Sequence, residues 1–350
     1  MKKILVLILA LLCTLSLVAC NNDAENNGDP DTNPPADSQA AGVTVTTALD
    51  LTAEWDKNFA QGSLVQGCVV VRKSFAEENP AIVKKFLEEY EASINFAVSN
   101  PKEASTMIAD AGIFAKAAVA EQALPKCNLC FVTGEEMKTS LSAFLATMPL
   151  SSIGGQLPPD SFYYTAPDTQ ATPDAGTPVR VWTLNGTTGF GMAQLMNQKK
   201  NGSTALNYQF TVETQPTNVR DAMINGNADI AAVPTNLAAA LNKATGGEVL
   251  VIALNTRGVL YVVANTAKVT APTSLADLNG KKIYCPAQNP TFIAKALFEK
   301  AGITVEIDST TYDEPAELQA AVAQGLVDLA ILPEPMVTIA KAAAKTNSAK

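Results

Sequence analysis

Four groups of residues in this chain have the type and spacing to bind or transform a small molecule. They are the loop Asn185-Gly186-Thr187-Thr188-Gly189, the turns Pro234-Thr235-Asn236 and Gln288-Asn289-Pro290-Thr291, the charged residues Arg257 and Glu334, and the pair Cys127 and Cys130. Binding chemistry is favoured over catalysis by what is missing. Histidine is absent from the 350 residues, which removes Ser-His-Asp and Cys-His nucleophile–base pairs and every His-ligated metal site. Carboxylate or lysine chemistry would need a motif, and none is present. No catalytic residue, metal or cofactor is expected.

Cys127-Asn128-Leu129-Cys130 has C-x-x-C spacing, which outside the cytoplasm fits a redox pair, half a metal site or a local disulfide. With no second C-x-x-C, a metal site is incomplete. Two isolated buried thiols is the preferred reading, with a local disulfide left open. The loop Asn185 to Gly189 opens a helix and can offer backbone N–H groups to an anion. It is not a P-loop, because the lysine is missing and the spacing differs. Arg257 suits bidentate recognition of an oxyanion, whereas Glu334, between Pro333 and Pro335, favours an amine or a protonated heterocycle. The two charges point to opposite ligands or to a zwitterion. Trp182 and Tyr284, late in two predicted strands, are candidates to stack on a flat ligand or to fill the core.

The elements that must position these residues come from an internal repeat. Gln215-Pro216 to Val233-Pro234 is echoed by Glu314-Pro315 to Leu332-Pro333, with Pro216/Pro315, Gly226/Gly325, Asp229/Asp328 and Pro234/Pro333 all separated by 99 positions. Pro suits the first turn of a helix, and Gly suits a left-handed C-terminal cap. The apolar run that follows reads as a buried strand, closed by Pro. Upstream, Val179 to Leu184 and Lys282 to Cys285 are strands, followed by loops and the apolar helices Phe190 to Met196 and Phe292 to Ala301. Each copy is a parallel α/β unit. The fold class is therefore α/β, two-lobed, each lobe a mainly parallel sheet flanked by helices. Ligands of open α/β sheets bind beyond the carboxyl ends of the strands. The expected ligand-binding residues are Asn185, Thr187, Thr188, Gly189, Thr235, Asn236, Arg257, Asn289, Thr291 and Glu334.

Residues 43–165 are mostly helical after one or two strands. Asn79-Pro80 opens a helix whose Val83, Phe86, Leu87, Tyr90 and Ile94 share a face, Asn100-Pro101 opens the next, and Thr133-Gly134-Glu135-Glu136 has the form of a capping box. At the N-terminus, Lys2 and Lys3 precede an apolar run that ends at Leu17-Val18-Ala19-Cys20. This has the form of a secretory signal peptide, too short to span a bilayer. Asn21 to Ala41 is rich in Asn, Asp and Pro and is expected to be a disordered tether. No second long apolar stretch follows, and the net charge of −9 argues against nucleic acid.

These motifs resemble those of the solute-binding lipoproteins of ABC importers, in the nitrate, sulfonate, taurine and thiamine-precursor group. The likeness rests on Asn185 to Met192, Ala228 to Pro234, Ser274 to Ile283, Leu49 to Trp55 and Gly67 to Arg72, and covers most of residues 43–350. It implies a type II periplasmic-binding-protein clamp that closes on a small molecule. It also implies lipidation of Cys20, a permease and an ATPase as partners, membrane contact through the lipid anchor alone, a monomer, and a place on the outer face of the cytoplasmic membrane. In that family the region like 178–350 comes first. Here the order is exchanged, as in a circular permutation, with Ala166 to Thr177 bridging the former ends. The organisation expected is a signal peptide over 1–19, lipidated Cys and tether over 20–42, and a half serving both lobes over 43–165. A linker over 166–177 and lobe cores over 178–264 and 265–350 complete it. A sensory or adhesion lipoprotein would use the same clamp without a transporter. An enzyme like the thiamine-pyrimidine synthases is disfavoured, since those consume a histidine of their own.

Overall fold

The computed structural model describes residues 42–348, so the expected signal peptide, Cys20 and tether lie outside the described residues. The chain begins β1 (Val45–Asp50), α1 (Leu51–Asn58), β2 (Val65–Arg72), α2 (Lys73–Glu78), α3 (Pro80–Ser99), α4 (Pro101–Asp110), α5 (Ala117–Ala123), β3 (Leu129–Val132) and α6 (Gly134–Leu145). The first repeat supplies β4 (Pro178–Leu184), α7 (Thr187–Phe190), α8 (Ala193–Lys200), β5 (Asn207–Glu213), α9 (Pro216–Ile224), β6 (Ile230–Pro234) and α10 (Thr235–Ala244). After β7 (Val249–Arg257) and β8 (Leu260–Asn265), the second supplies β9 (Lys282–Tyr284), α11 (Asn289–Lys300), β10 (Glu306–Asp308), α12 (Pro315–Ala323), β11 (Leu329–Pro333) and α13 (Met336–Ser348).

Two sheets result, ordered β3-β7-β2-β6-β4-β5 and β1-β8-β11-β9-β10. The repeats form the parallel triples β5-β4-β6 and β10-β9-β11. Next to each triple lies a strand running the other way: β2 beside β6, and β8 beside β11. Beyond them β7 and β1 return to the parallel sense. Most strands thus point one way, but each sheet is mixed. The antiparallel strands arise because the chain crosses between lobes twice, through residues 51–64 and through Gly258-Val259. For the same reason β8 belongs to the second sheet, although the expected division fell at residue 264.

Alternation places β2 at the centre of its lobe. Cys68 and Val70 join one apolar cluster, while Val69 and Val71 join the other. A strand covered on both faces reads as the unbroken apolar run seen here. On α3, Val83, Phe86, Tyr90, Ser93, Ile94 and Ala97 form the buried stripe, at the spacing of one helical face. The largest cluster is continuous between the lobes. It joins Cys68, Val233 and Leu254 to Leu260, Val262 and Ile331 through Leu51 and Trp55 of α1. Trp55 is fully buried, stacks on Phe59 at 4.0 Å, and donates from Nε1 to Ser63 Oγ at 2.9 Å.

The repeat halves match closely at their helix ends. Gly226 and Gly325 follow α9 and α12 with φ of 72° and 70°, the left-handed stop that glycine takes most readily. Their aspartates have diverged. Asp328 is exposed, with Lys268 Nζ at 3.9 Å. Asp229 is buried and accepts from Arg180 N (2.9 Å), Nε (2.8 Å) and Nη2 (2.6 Å), and from Arg72 Nη2 (2.6 Å). Burial pushes the Asp229 carboxyl up, but the hydrogen bonds from Arg180 and Arg72 outweigh it and hold it below the usual range. One carboxylate therefore ties β2, from the first part of the chain, to β4 and β6.

The expected capping box at Thr133 does not form. Thr133 makes no side-chain cap, and Glu136 turns to Arg257 Nη2 at 3.4 Å. A capping box is found instead at Ser274 and Asp277. Cys127 and Cys130 are free thiols in different surroundings. Cys127 is buried with Ala97, Ile108 and Phe190, and Cys130 packs against the interlobe cluster. Burial pushes Cys130 up to about 11 and holds Cys127 well above its ordinary value, which disfavours the reactive thiolate.

Candidate functional site

The carboxyl ends of β4, β6, β9 and β11 carry the predicted loops, and the two lobes meet there. Asn236, in the first turn of α10, accepts at Oδ1 from Asn289 Nδ2, in the first turn of α11, at 2.7 Å. Tyr261 Oη, at the start of β8, donates to the Lys126 carbonyl at 2.8 Å. Lys126 Nζ lies 3.8 Å from Glu334 Oε1. These contacts span the cleft between the lobes.

The loop after β4 is held by the first part of the chain. Gly186 takes φ 80°, and its N–H donates to the Ile113 carbonyl at 3.1 Å. Gly189 is buried so tightly that a Cβ there would meet the Leu184 carbonyl oxygen and Ile113 Cγ2. This close packing requires glycine at 189. Below the loop, Asn255 Nδ2 donates to the Thr188 carbonyl (3.1 Å) and Tyr90 Oη (3.0 Å), while Thr256 Oγ1 donates to Asn255 Oδ1 (3.1 Å). Asn185, Thr187 and Thr188 remain at least partly accessible.

In the second lobe, Gln288 precedes α11 with φ 62° and ψ −126°, strained backbone of the kind that collects at ligand clamps. It occupies the place that Gly186 holds before α7. The first N–H groups of α10 and α11 have no intrahelical partner, and both helix starts carry partial positive charge. Two predicted threonines are structural. Thr235 Oγ1 donates to the Val65 carbonyl at 2.9 Å, and Thr291 Oγ1 to the Pro286 carbonyl at 2.8 Å.

The two charged candidates are committed elsewhere. Arg257 is the last residue of β7, which extends through it because β2 and β3 pair alongside. Its Nη1 donates to the Gly62 carbonyl at 2.5 Å and its Nη2 reaches Glu136. It lines a recess of about 660 Å³ with Asp56, Gln61 and Glu135, beside α1 and α6 and apart from the other predicted residues. Glu334 is buried and caps its own helix, accepting from Thr338 N (3.1 Å) and Oγ1 (3.0 Å). Burial pushes its carboxyl up, partly offset by Thr338, Lys126 and Lys341. Trp182 packs against the interlobe cluster, and Tyr284 pairs with Tyr312 at 5.8 Å.

Sequence reasoning missed Tyr90, Lys126 and Asn255. Tyr90 lies on a helix face read as packing, and Lys126 carries no pattern. Asn255 gave one usable signal, an amide directly after the apolar run Val249 to Leu254.

Residues 201–349 match the family model described as ABC transporter, phosphonate, periplasmic substrate-binding protein. The likeness is to a family of binding proteins. It covers β6, α10, β9, α11 and β11, with Asn236, Asn289 and Glu334, and leaves out the loop at Asn185. The named family is the phosphonate one rather than the nitrate, sulfonate and taurine group. Both are capture components of ABC importers and imply an extracytoplasmic place. No curated protein matches the chain. No helix among the described residues is long and apolar enough to cross a membrane.

Proposed function

We propose that this protein captures a small, oxyanion-bearing solute between its lobes, outside the cytoplasmic membrane, and delivers it to an ABC permease and its ATPase. The observation that carries the reading is the meeting of α10 and α11 through Asn236 and Asn289. Two helix N-termini from different lobes converge there, and such termini favour negative charge. The phosphonate family likeness of residues 201–349 supports the same class of solute. Arg257 and Glu334 do not supply the selectivity, because both are occupied by protein partners.

Closure on the solute is a population shift toward the state with contacts from both lobes. Lipidation at Cys20 completes the proposal and keeps the protein beside its permease. The exchanged order of the chain is proposed to be a circular permutation. In support, β1 is the edge strand beside β8, and Lys341 Nζ of α13 donates to its Thr47 Oγ1 at 3.3 Å. The segment that would follow α13 in the unpermuted order thus lies against it.

A thermal-shift panel of phosphonates, phosphate, sulfonates, amines and amino acids tests the function. A ligand at ~100 times its Kd adds about 2.7 kcal/mol. A cooperative shift with a phosphonate or related oxyanion supports the proposal. A shift with amines alone, or with no member, overturns the oxyanion reading.

A further inference from the structure

The recess beside α1 and α6 holds about 660 Å³ and sets three carboxylates, Asp56, Glu135 and Glu136, against one guanidinium, Arg257. Glu136 and Arg257 are paired with each other at 3.4 Å. Asp56 uses only Oδ1, which accepts from Gly62 N at 2.8 Å. Glu135 is exposed and has no hydrogen-bond or ion-pair partner among the described residues. Two negative charges, one on the α1 wall and one on the α6 wall, are thus left without a cation.

Acidic walls alone would only be solvated. The deciding residue is Ser140, which lines the same recess from α6, is 9 % exposed, and makes no hydrogen bond with the described residues. Buried hydroxyls are ordinarily paired, and a serine within a helix has the carbonyl four residues back at hand. Ser140 does not take it. Its Oγ offers two acceptor lone pairs whichever way its hydrogen turns, and they are left for an occupant of the recess. A bare metal ion does not fit, since no three acidic or thiol side chains among the described residues are grouped to hold one. Spaced carboxylates with a hydroxyl between the walls instead suit a cation whose charges are themselves spaced and which brings N–H donors.

We propose that this recess is a second binding site, for a small organic diammonium. One ammonium pairs with Asp56 and the other with Glu135, and Ser140 Oγ accepts an N–H. The site lies apart from the cleft loops and does not rest on the capture reading.

The test is calorimetric titration of the full chain with 1,4-diaminobutane and with pentylamine, which has the same number of heavy atoms but one charge. The diamine should bind saturably, and pentylamine at least about threefold more weakly, the scale of one exposed ion pair. Ser140→Ala should weaken the diamine about tenfold, the scale of a hydrogen bond to a charged group. Alanine suits a helix better than serine, so this variant should fold. Glu135→Gln, at an exposed position, should weaken the diamine about threefold.

Diffuse attraction to an acidic surface predicts a loss in Glu135→Gln with none in Ser140→Ala, and that result overturns the proposal. So does binding that neither variant changes, which would put the diamine elsewhere. Equal affinity for pentylamine, or no saturable binding, overturns it as well. The capture reading is judged separately: the shift given by a cleft ligand survives Ser140→Ala, whereas a shift given by the diamine through this recess does not.

Discussion

Replacing Asp229 by Asn probes how two distant stretches of the chain are held in one sheet. Asp229 is 1 % exposed and accepts four hydrogen bonds from Arg72 and Arg180. An Asn keeps the shape but turns an amide toward guanidinium donors and removes the charge that both arginines share. Breaking a buried ion pair by removing one partner costs ~3–5 kcal/mol. Here the arginine side chains stay 25 % and 36 % exposed, so water relieves part of the loss, and about 3 kcal/mol is expected. For a body of this size that corresponds to a fall in Tm of about 5 °C.

The effect carries a pH signature. A carboxyl held below its usual range stabilises the fold fully above the unfolded value of ~3.9, and this is lost as pH falls through the folded value. The gap between native protein and D229N should be complete at neutral pH and shrink below about pH 4. Thermal melts across pH measure it. A gap under about 1 kcal/mol at pH 7, or one that does not change on acidification, would refute the reasoning.

Three further outcomes are expected. The Glu334 carboxyl is raised by burial, so its contribution is complete below the unfolded value of ~4.3 and is lost as pH rises through the folded value. Melts of Glu334→Gln should lose that dependence and lie within about 1 kcal/mol of the native protein at pH 7. Arg257→Ala should leave the affinity for a panel ligand within about twofold, because the guanidinium is bound to Gly62 and Glu136. A tenfold loss by calorimetry would return Arg257 to the site. A reordered chain, 178–348 followed by 43–165, should fold with the same far-ultraviolet circular dichroism and a cooperative melt; failure to fold would contradict the permutation.

The α/β units were legible because their punctuation is local. Pro216 and Pro315 start helices, Gly226 and Gly325 stop them, and Pro234 and Pro333 close the strands. The antiparallel strands were not, since β2 meets β6 across more than 150 positions and no local pattern encodes that register. This hid the course of β7 and the place of Arg257 at its end. At the site, the loop positions could be read from the ends of the repeats, and Asn236 and Asn289 are brought together there. Which side chains are free could not be read. Thr235, Thr291 and Glu334 are hydrogen-bonded to backbone groups, that of Thr235 on the distant β2, and that depends on distances no spacing rule carries.

Hydrogen–deuterium exchange with and without the solute that emerges from the panel tests the central claim most directly. Capture between the lobes predicts slowed exchange in residues 185–190, 235–237 and 288–292 together, on both sides of the cleft. Protection confined to one lobe, or to the recess beside α1 and α6, would contradict it.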